Sequence, residues 1–359
     1  MKKPVKMAGE TVARADNVLV RLESDDGVVG WGEAASAPTM TGETVASMMA
    51  AVDHMMPALL GRRCDDIAGA AAAMDAKMYG NSAAKAAIEI AMYDLVGHAT
   101  GRPLHALLGD KERSRIPLLA VLGSADIAGD VREGEERRAA GYVVFKVKVG
   151  MGAPQADAER THAVCRAVGE DCLVSADANQ GFGVEDALRY VHAVADSGLG
   201  FFEQPVRAHD LAGMARVAAA SRVPIGADEG IHSRDDIERH HLQKAAGGVS
   251  LKAIKLGGLT ALLDASRLCT RLAMKVNISC KTGESSIASA AAVQVAAAAP
   301  ELAWGMTVTH TGLADDVAKE PLQTVDGHVT VPDRPGIGIE VDERRVRRYQ
   351  QEFVARKVA

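Results

Sequence analysis

The chain has 359 residues, 48% hydrophobic and 25% charged, with 41 Lys+Arg against 47 Asp+Glu for a formal charge of -6. That balance suits a globular protein large enough to bury an extensive core and to carry more than one domain. There is no basic excess to meet a phosphate backbone, and 2 Trp, 5 Tyr and 5 Phe are too few for base-stacking platforms, so nucleic acid is not an expected partner.

The opening stretch MKKPVKMAGETVARAD is basic without an apolar segment behind it, and no run of about 18 apolar residues occurs later, so neither a secretory signal nor a membrane span is expected. Cys64, Cys165, Cys172, Cys269 and Cys280 are scattered without a CxxC pair, the pattern of free thiols in a reducing, cytoplasmic setting. Asn17–Glu23 and Val28–Glu33 flank Asp26-Gly27 and predict a β-hairpin. A loop over Ala34–Gly42 follows, then helical patterns at Glu43–Leu60, Asp65–Tyr79 and Ser82–Ala99, the third with Asn81 as its cap and Gly101-Arg102-Pro103 as its stop.

Beyond Gly109-Asp110 short apolar strands alternate with amphipathic helices. The strands are predicted at Ile116–Leu122, Val143–Val149, Cys172–Asp177, Gly200–Glu203, Val223–Asp228, Val249–Ile254, Lys275–Ser279 and Leu302–Thr309. Helical stretches such as Gly183–Ser197 and Leu259–Leu272 separate them. Eight βα units in a row favour a (β/α)8 barrel over an open sheet, and no GxGxxG follows the first strand to suggest a dinucleotide. The tail Val329–Arg344 reads as a strand and turn leaving the barrel.

Active sites of such barrels lie where strands run into the following loops. There the chain places Lys148, Asp177, Glu203, Asp228 and Lys252, spaced 29, 26, 25 and 24 residues apart, on five consecutive strands, with Lys146 on the face of Lys148. Three converging carboxylates repel one another unless a cation joins them, and hard oxygen ligands favour Mg²⁺ or Mn²⁺ over zinc. Glu229 competes with Asp228 for the third place, since neighbours on a strand face opposite ways. Taken singly, each reads first as an ordinary ion pair at a barrel mouth; the common register is what points to a site. Lys255, three positions after Lys252, is expected at a helix start or in a structural role. The eleven histidines show no ligand spacing, and Met48-Met49 and Met55-Met56 read as packing.

At these residues the sequence resembles the enolase superfamily, in its muconate lactonizing enzyme subgroup. The resemblance spans nearly the whole chain. Gly30-Trp31-Gly32-Glu33-Ala34, the helix around Glu89 and Asp94, and Gly101-Arg102-Pro103-Leu104 resemble the capping domain. Phe145-Lys146-Val147-Lys148, Asp177-Ala178-Asn179, Glu203-Gln204-Pro205, Ala227-Asp228-Glu229 and Lys252 with Gly257-Gly258 resemble the barrel. The resemblance implies an α/β fold: an α+β capping domain over residues 1–112, the barrel over 113–320, and a segment over 321–359 returning to the cap.

It also implies Asp177, Glu203 and Asp228 as ligands of Mg²⁺ or Mn²⁺, and Lys148 and Lys252 as an acid/base pair on opposite faces of a small carboxylate substrate. Lys146 is then expected to assist the carboxylate and to lower the pKa of Lys148. The implied activity is abstraction of a proton α to a carboxylate, with an enolate intermediate, in a cycloisomerase-like enzyme. Racemases, epimerases and dehydratases share this set. Dipeptide epimerases similar to this family carry an acidic DxD where Thr307 and Thr309 stand here, which weakens that branch. Asn179, Glu284 and Thr309 are the candidate substrate contacts, and specificity is expected in Lys3–Val12 and Ala35–Thr44. Two readings of other classes remain: a Schiff-base aldolase, which has no use for three carboxylates in register, and a non-catalytic barrel, which would be indifferent to metal. A homo-oligomer is expected. The resemblance also implies a leading strand before Lys3–Thr11: either the true start lies upstream of Met1, or the hairpin edge along Asn17–Glu23 is open.

Overall fold

The hairpin forms as β3 (Asn17–Glu23) and β4 (Val29–Ala35), paired antiparallel from Asn17↔Ala35 to Glu23↔Val29, in a computed structural model that describes residues 1–124 and 126–358. A smaller hairpin precedes it, β1 (Val5–Met7) with β2 (Glu10–Val12). Helices α1 (Val45–Met55), α2 (Ile67–Lys77), α3 (Ser82–Thr100) and α4 (His105–Leu108) follow. The long helix α3 lies directly on β4. Gly32 permits this approach, because a Cβ there would sit 1.9 Å from the carbonyl oxygen of Ala87. Met48 and Met55 pack in the core of this region, while Met49 stays exposed.

Asn81 does not cap α3. It adopts a left-handed conformation (φ 53°) and turns its amide to the carbonyl of Tyr79. The buried carboxylate of Glu43 takes its place, accepting from the backbone N–H groups of Ala83 (2.9 Å) and Ala84 (3.1 Å).

The barrel comprises eight parallel strands in sequence order: β6 (Leu119–Leu122), β7 (Val144–Lys148), β8 (Leu173–Asp177), β9 (Phe201–Glu203), β10 (Ile225–Ala227), β11 (Gly248–Leu251), β12 (Lys275–Ser279) and β13 (Met306–Thr307). A parallel bridge between Leu118 and Met306 joins the last strand to the first. Helices α5 (Ile127–Ala139), α6 (Pro154–Val168), α7 (Val184–Ala193), α8 (Leu211–Ala220) and α9 (Arg234–Leu242) alternate with the strands. The short α10 (Ala253–Leu256) and then α11 (Leu259–Arg271) follow β11, and α12 (Ser286–Ala298) follows β12. Every residue of the Ala-rich α12 is buried, and it packs against both the barrel and β4.

All the expected barrel strands but Lys275–Ser279 are shorter than their apolar runs, three of them instructively. Ile116–Leu122 divides: β5 (Arg115–Pro117) leaves the barrel to pair with β15 (His328–Thr330), itself paired with β14 (Thr324–Val325). Pro117, with no N–H to give a ladder, marks the break. Val249–Ile254 ends at Leu251 because α10 begins two residues later, and of Leu302–Thr309 only Met306–Thr307 is strand. The tail also holds a helix that was not expected, α13 (Glu343–Val358); its apolar residues are sparse among arginines, so its periodicity is weak. All five cysteines are free, three of them buried. No helix among the described residues is long and apolar enough to cross a membrane.

Candidate active site

The C-terminal ends of β7 to β11 carry the expected residues into one buried ionic network. Register places Lys148 beside Asp177 and Asp177 beside Glu203 on adjacent strands. Lys146 Nζ donates to Glu203 Oε2 at 2.6 Å and lies 3.7 Å from Asp177 Oδ2. Lys148 Nζ donates to Asp177 Oδ2 at 2.6 Å and to Asn179 Oδ1 at 2.7 Å. Asp228, one residue past β10, accepts from Lys252 on both carboxylate oxygens.

Lys255 joins this network. From α10 its ammonium donates to Asp228 Oδ1 (2.6 Å), to the carbonyl of Ser250 (2.9 Å) and to the carbonyl of Asp228, so all three N–H donors are engaged. Its expected place at a helix start is correct, yet its head group reaches the site. Strand parity had pointed it elsewhere, and parity lapses where the chain turns helical after Lys252. The same lapse brings Glu229 in beside Asp228: its Oε1 accepts from Asn179 at 3.1 Å. The expectation that only one of the pair faces inward therefore fails.

Burial and mutual charge set the protonation preferences. Burial opposes ionisation of Asp177 and Asp228, but Lys148 and Lys146 outweigh it at the first, and Lys252 and Lys255 at the second, holding both below the usual carboxylate range. Burial wins at Glu203, raising it. Glu229 is pushed up to about 7 by burial and by the charges of Asp228 and Asp177. Burial works against the ammonium forms of Lys146 and Lys252 as well, but Glu203 and Asp228, respectively, override it and raise both. Lys252 is raised because its nearest partner is an anion.

Among the described residues no three Asp, Glu, His or Cys side chains close on one point, because ammonium groups lie between the carboxylates. The donor set still suits a hard divalent cation. Three buried carboxylates stand on neighbouring strands, and the buried Oε2 of Glu229 beside them has no hydrogen-bond partner among the described residues.

The remaining candidates sit after β12 and β13. Glu284 is buried, accepts from the backbone N–H of Lys281 (2.9 Å), and is pushed up to about 8 by burial and by the nearby charge of Glu33. Thr309 donates its hydroxyl to the carbonyl of Lys281 (2.8 Å), so it fastens this loop. The two segments expected to set specificity meet above it: Thr39 donates to Glu10 Oε2 at 2.9 Å, and Lys281 Nζ lies 3.6 Å from that same oxygen. Lys281 was missed in the sequence because its partner lies at the opposite end of the chain.

Buried carboxylates of the first hundred residues hold the barrel helices. Glu33 accepts from Ser285 N (3.0 Å), Ser285 Oγ (2.7 Å), Ala288 N (3.0 Å) and Asn17 Nδ2 (2.6 Å), closing the start of α12. Glu89 accepts from the backbone N–H groups of Leu259 and Thr260 at the start of α11. Gly258 makes room, since a Cβ there would fall 2.0 Å from Glu89 Oε2.

Residues 1–109 match the family described as mandelate racemase / muconate lactonizing enzyme, N-terminal domain, and residues 130–345 match enolase C-terminal domain-like. The chain is 31% identical to muconate cycloisomerase 1 of Pseudomonas putida over 360 residues, covering 97% of this chain and 94% of that protein. It is 30% identical to an N-succinyl-L-Arg/Lys racemase of Bacillus cereus, covering 96% and 92%. The crystal structure of a muconate lactonizing enzyme from Pseudomonas fluorescens, complexed with muconolactone, superposes with a TM-score of 0.91 at 30% identity, over 96% of this chain and 94% of that one.

Proposed function

The chain belongs to the mandelate racemase / muconate lactonizing enzyme family of the enolase superfamily, and from that premise we propose a metal-dependent isomerase that removes a proton α to a carboxylate, in a muconate cycloisomerase-like reaction. The observation that carries this reading is the buried arc of Lys148, Asp177, Glu203, Asp228 and Lys252 at five consecutive strand ends. Asp177, Glu203 and Asp228 hold the divalent ion, Mg²⁺ or Mn²⁺. When bound, that ion supplies positive charge that stabilises an enolate. Lys148 and Lys252 approach the substrate from strand ends at separate places on the rim and carry the proton to and from its α-carbon. Asn179 orients Lys148 through their 2.7 Å hydrogen bond, and Lys146 places a second positive charge beside the substrate carboxylate.

Residues 1–112 and 321–359 act as the cap that closes over the barrel of residues 113–320. A homo-oligomer belongs to the same reading: among the described residues β3 pairs only with β4, which leaves a strand edge open.

The test is conversion of cis,cis-muconate, followed by loss of its conjugated absorbance, together with deuterium uptake from D₂O with Mg²⁺ present. Lys148→Ala and Lys252→Ala should abolish both signals. A wild-type protein that exchanges no α-proton from any carboxylic acid overturns the proposal. Two lysines on separate strands also suit a racemase, and exchange at both enantiomers of an N-succinyl amino acid, without muconate turnover, selects that branch.

A further inference from the structure

The two lysines of the acid/base pair are anchored to the barrel in different ways. Lys252 opens α10, and its carbonyl accepts from the backbone N–H groups of Lys255 (3.1 Å) and Leu256 (3.2 Å), so main chain fixes the root of its side chain. Lys148 closes β7, and its carbonyl accepts instead from a side chain, Nη2 of Arg160 on α6, at 2.5 Å. At the other end of Lys148 the ammonium rests on Asp177 and Asn179. Asp177 is also a proposed metal ligand, so that contact is one the lysine must share.

Arg160 holds more than one carbonyl. It is buried, at 4% exposure, between the buried carboxylates of Asp130 on α5 and Asp157 on α6. Its Nη2 also donates to Asp157 Oδ1 at 2.7 Å, and its Nη1 donates to Asp130 Oδ2 at 2.8 Å. Each carboxylate passes the hold on to a loop at the rim. Asp157 Oδ2 accepts from the N–H of Gly150, two residues after Lys148, at 2.8 Å. Asp130 Oδ1 accepts from the backbone N–H and the hydroxyl of Ser124, at 2.9 and 2.7 Å. Gly123, the neighbour of Ser124, lies against the stem of Lys148: a Cβ there would meet Cγ of the lysine at 3.9 Å. One guanidinium thus grips the strand end, the turn that follows it and the loop beneath the lysine stem. A buried ion network adds little net stability over apolar packing. What a planar fork with fixed N–H directions adds is geometry.

We propose that Arg160 is a positioning residue for Lys148, setting the origin and direction of that side chain through the carbonyl of Lys148 and through Asp130 and Asp157. This rests on the isomerase reading and deepens it, because the two lysines then differ in what stands behind them: a side-chain clamp at Lys148 and helical main chain at Lys252. A lysine at position 160 carries charge but no fork, so it cannot serve the three acceptors in one plane.

The test reads the lysine ammonium groups in the ¹⁵N spectrum of the full chain without metal, the signals of Lys148 and Lys252 being assigned by their loss in Lys148→Arg and Lys252→Arg. Arg160→Lys should displace or broaden the Lys148 signal and leave that of Lys252 in place. In the Mg²⁺-loaded enzyme it should lower kcat about 10- to 100-fold, the effect of roughly 1 Å of misplacement, with KM changed less than about twofold. The substrate is cis,cis-muconate or N-succinylarginine, whichever the wild type converts. Retention of the Mg²⁺-induced rise in Tm shows that the variant is folded. If it does not fold, Asp130→Asn loosens the guanidinium from its far side and is read in the same two ways. An unmoved Lys148 signal, equal displacement of both lysines, or wild-type kcat in the variant overturns the proposal. The two readings fail separately. A wild type that exchanges no α-proton sinks the isomerase reading, while the ammonium spectrum still decides for or against Arg160; undiminished kcat in Arg160→Lys of an active enzyme sinks Arg160 alone.

Discussion

Two sets of buried carboxylates occupy this molecule and are neutralised by different means. Glu33, Glu43, Glu89 and Asp94 accept mainly from backbone N–H groups, three of them at the starts of helices α12, α3 and α11, and Asp94 from Trp31 and Ile337. Asp177, Glu203 and Asp228 accept chiefly from lysine ammonium groups at the ends of flexible stems. A backbone donor is positioned by the fold and leaves only when the fold does. A lysine head can swing away and be replaced by an ion or a substrate. Burial and charge are similar in the two sets, so it is the donor that separates a structural carboxylate from a functional one.

That contrast breaks if the two sets respond alike to mutation. The largest effect should come from the lysine side: Lys148→Ala and Lys252→Ala lower kcat by about 10²- to 10⁴-fold, the range of a lost general acid or base. Steady-state kinetics with matched circular dichroism checks that stability is not what fell. On the backbone side, Glu33→Ala orphans several donors at α12 and should cost about 4 kcal/mol by urea denaturation. Next comes a difference within the lysine-held set. Asp228→Asn takes the charge from two buried ammonium groups and should destabilise the metal-free protein by about 3 kcal/mol, whereas Glu203→Gln takes it from Lys146 alone, which Asp177 still faces at 3.7 Å, and should cost less. Both should lose most of the Mg²⁺-induced rise in Tm, read by calorimetry with and without EDTA. Removing one carboxylate does not simply relieve repulsion, because lysines already sit between them.

A fourth prediction concerns pH. Burial, aided by Glu33, holds Glu284 protonated up to about 8, against 4.5 for an unperturbed glutamate. The folded state then binds the additional proton between those values, so this residue's contribution to stability falls as pH rises from 4.5 through 8. Glu284→Gln should gain steadily on wild type over that window, and parallel stability curves would refute it. The smallest effect is at Asn81. Its left-handed backbone without a side-chain cap means Asn81→Gly should raise stability by no more than about 0.5 kcal/mol in a thermal melt.

The repeating part of the fold was legible in the sequence, because each barrel strand is an apolar run between helical patterns. So was the arc from Lys148 to Lys252, since charged residues recurring at strand ends have no packing reason to be there. What escaped had partners distant in sequence or conformations that broke a local rule. Glu43 displaces Asn81 as the cap of α3 from forty residues upstream. Lys255 and Glu229 enter the site because alternation stops where a strand stops. Helix α13 has too few apolar positions to announce itself, and Lys281 acquires its partner from a hairpin near Met1.

The barrel's closure is thinner than the rest of its wall. β13 has two strand residues, and the contact back to the first strand is a bridge between Leu118 and Met306. Both ends of the barrel must be synthesised and brought together before this contact exists, so its loop-closure entropy is the largest in the sheet. In kinetic terms it is expected to form late, after the neighbouring ladders. The β5–β14–β15 sheet acts there as a clasp: Leu118 donates its N–H to Gly327 at 2.8 Å, on the turn between β14 and β15. The tail therefore fastens the cylinder, and a nascent chain stopped before residue 324 has an incipient barrel without its fastening.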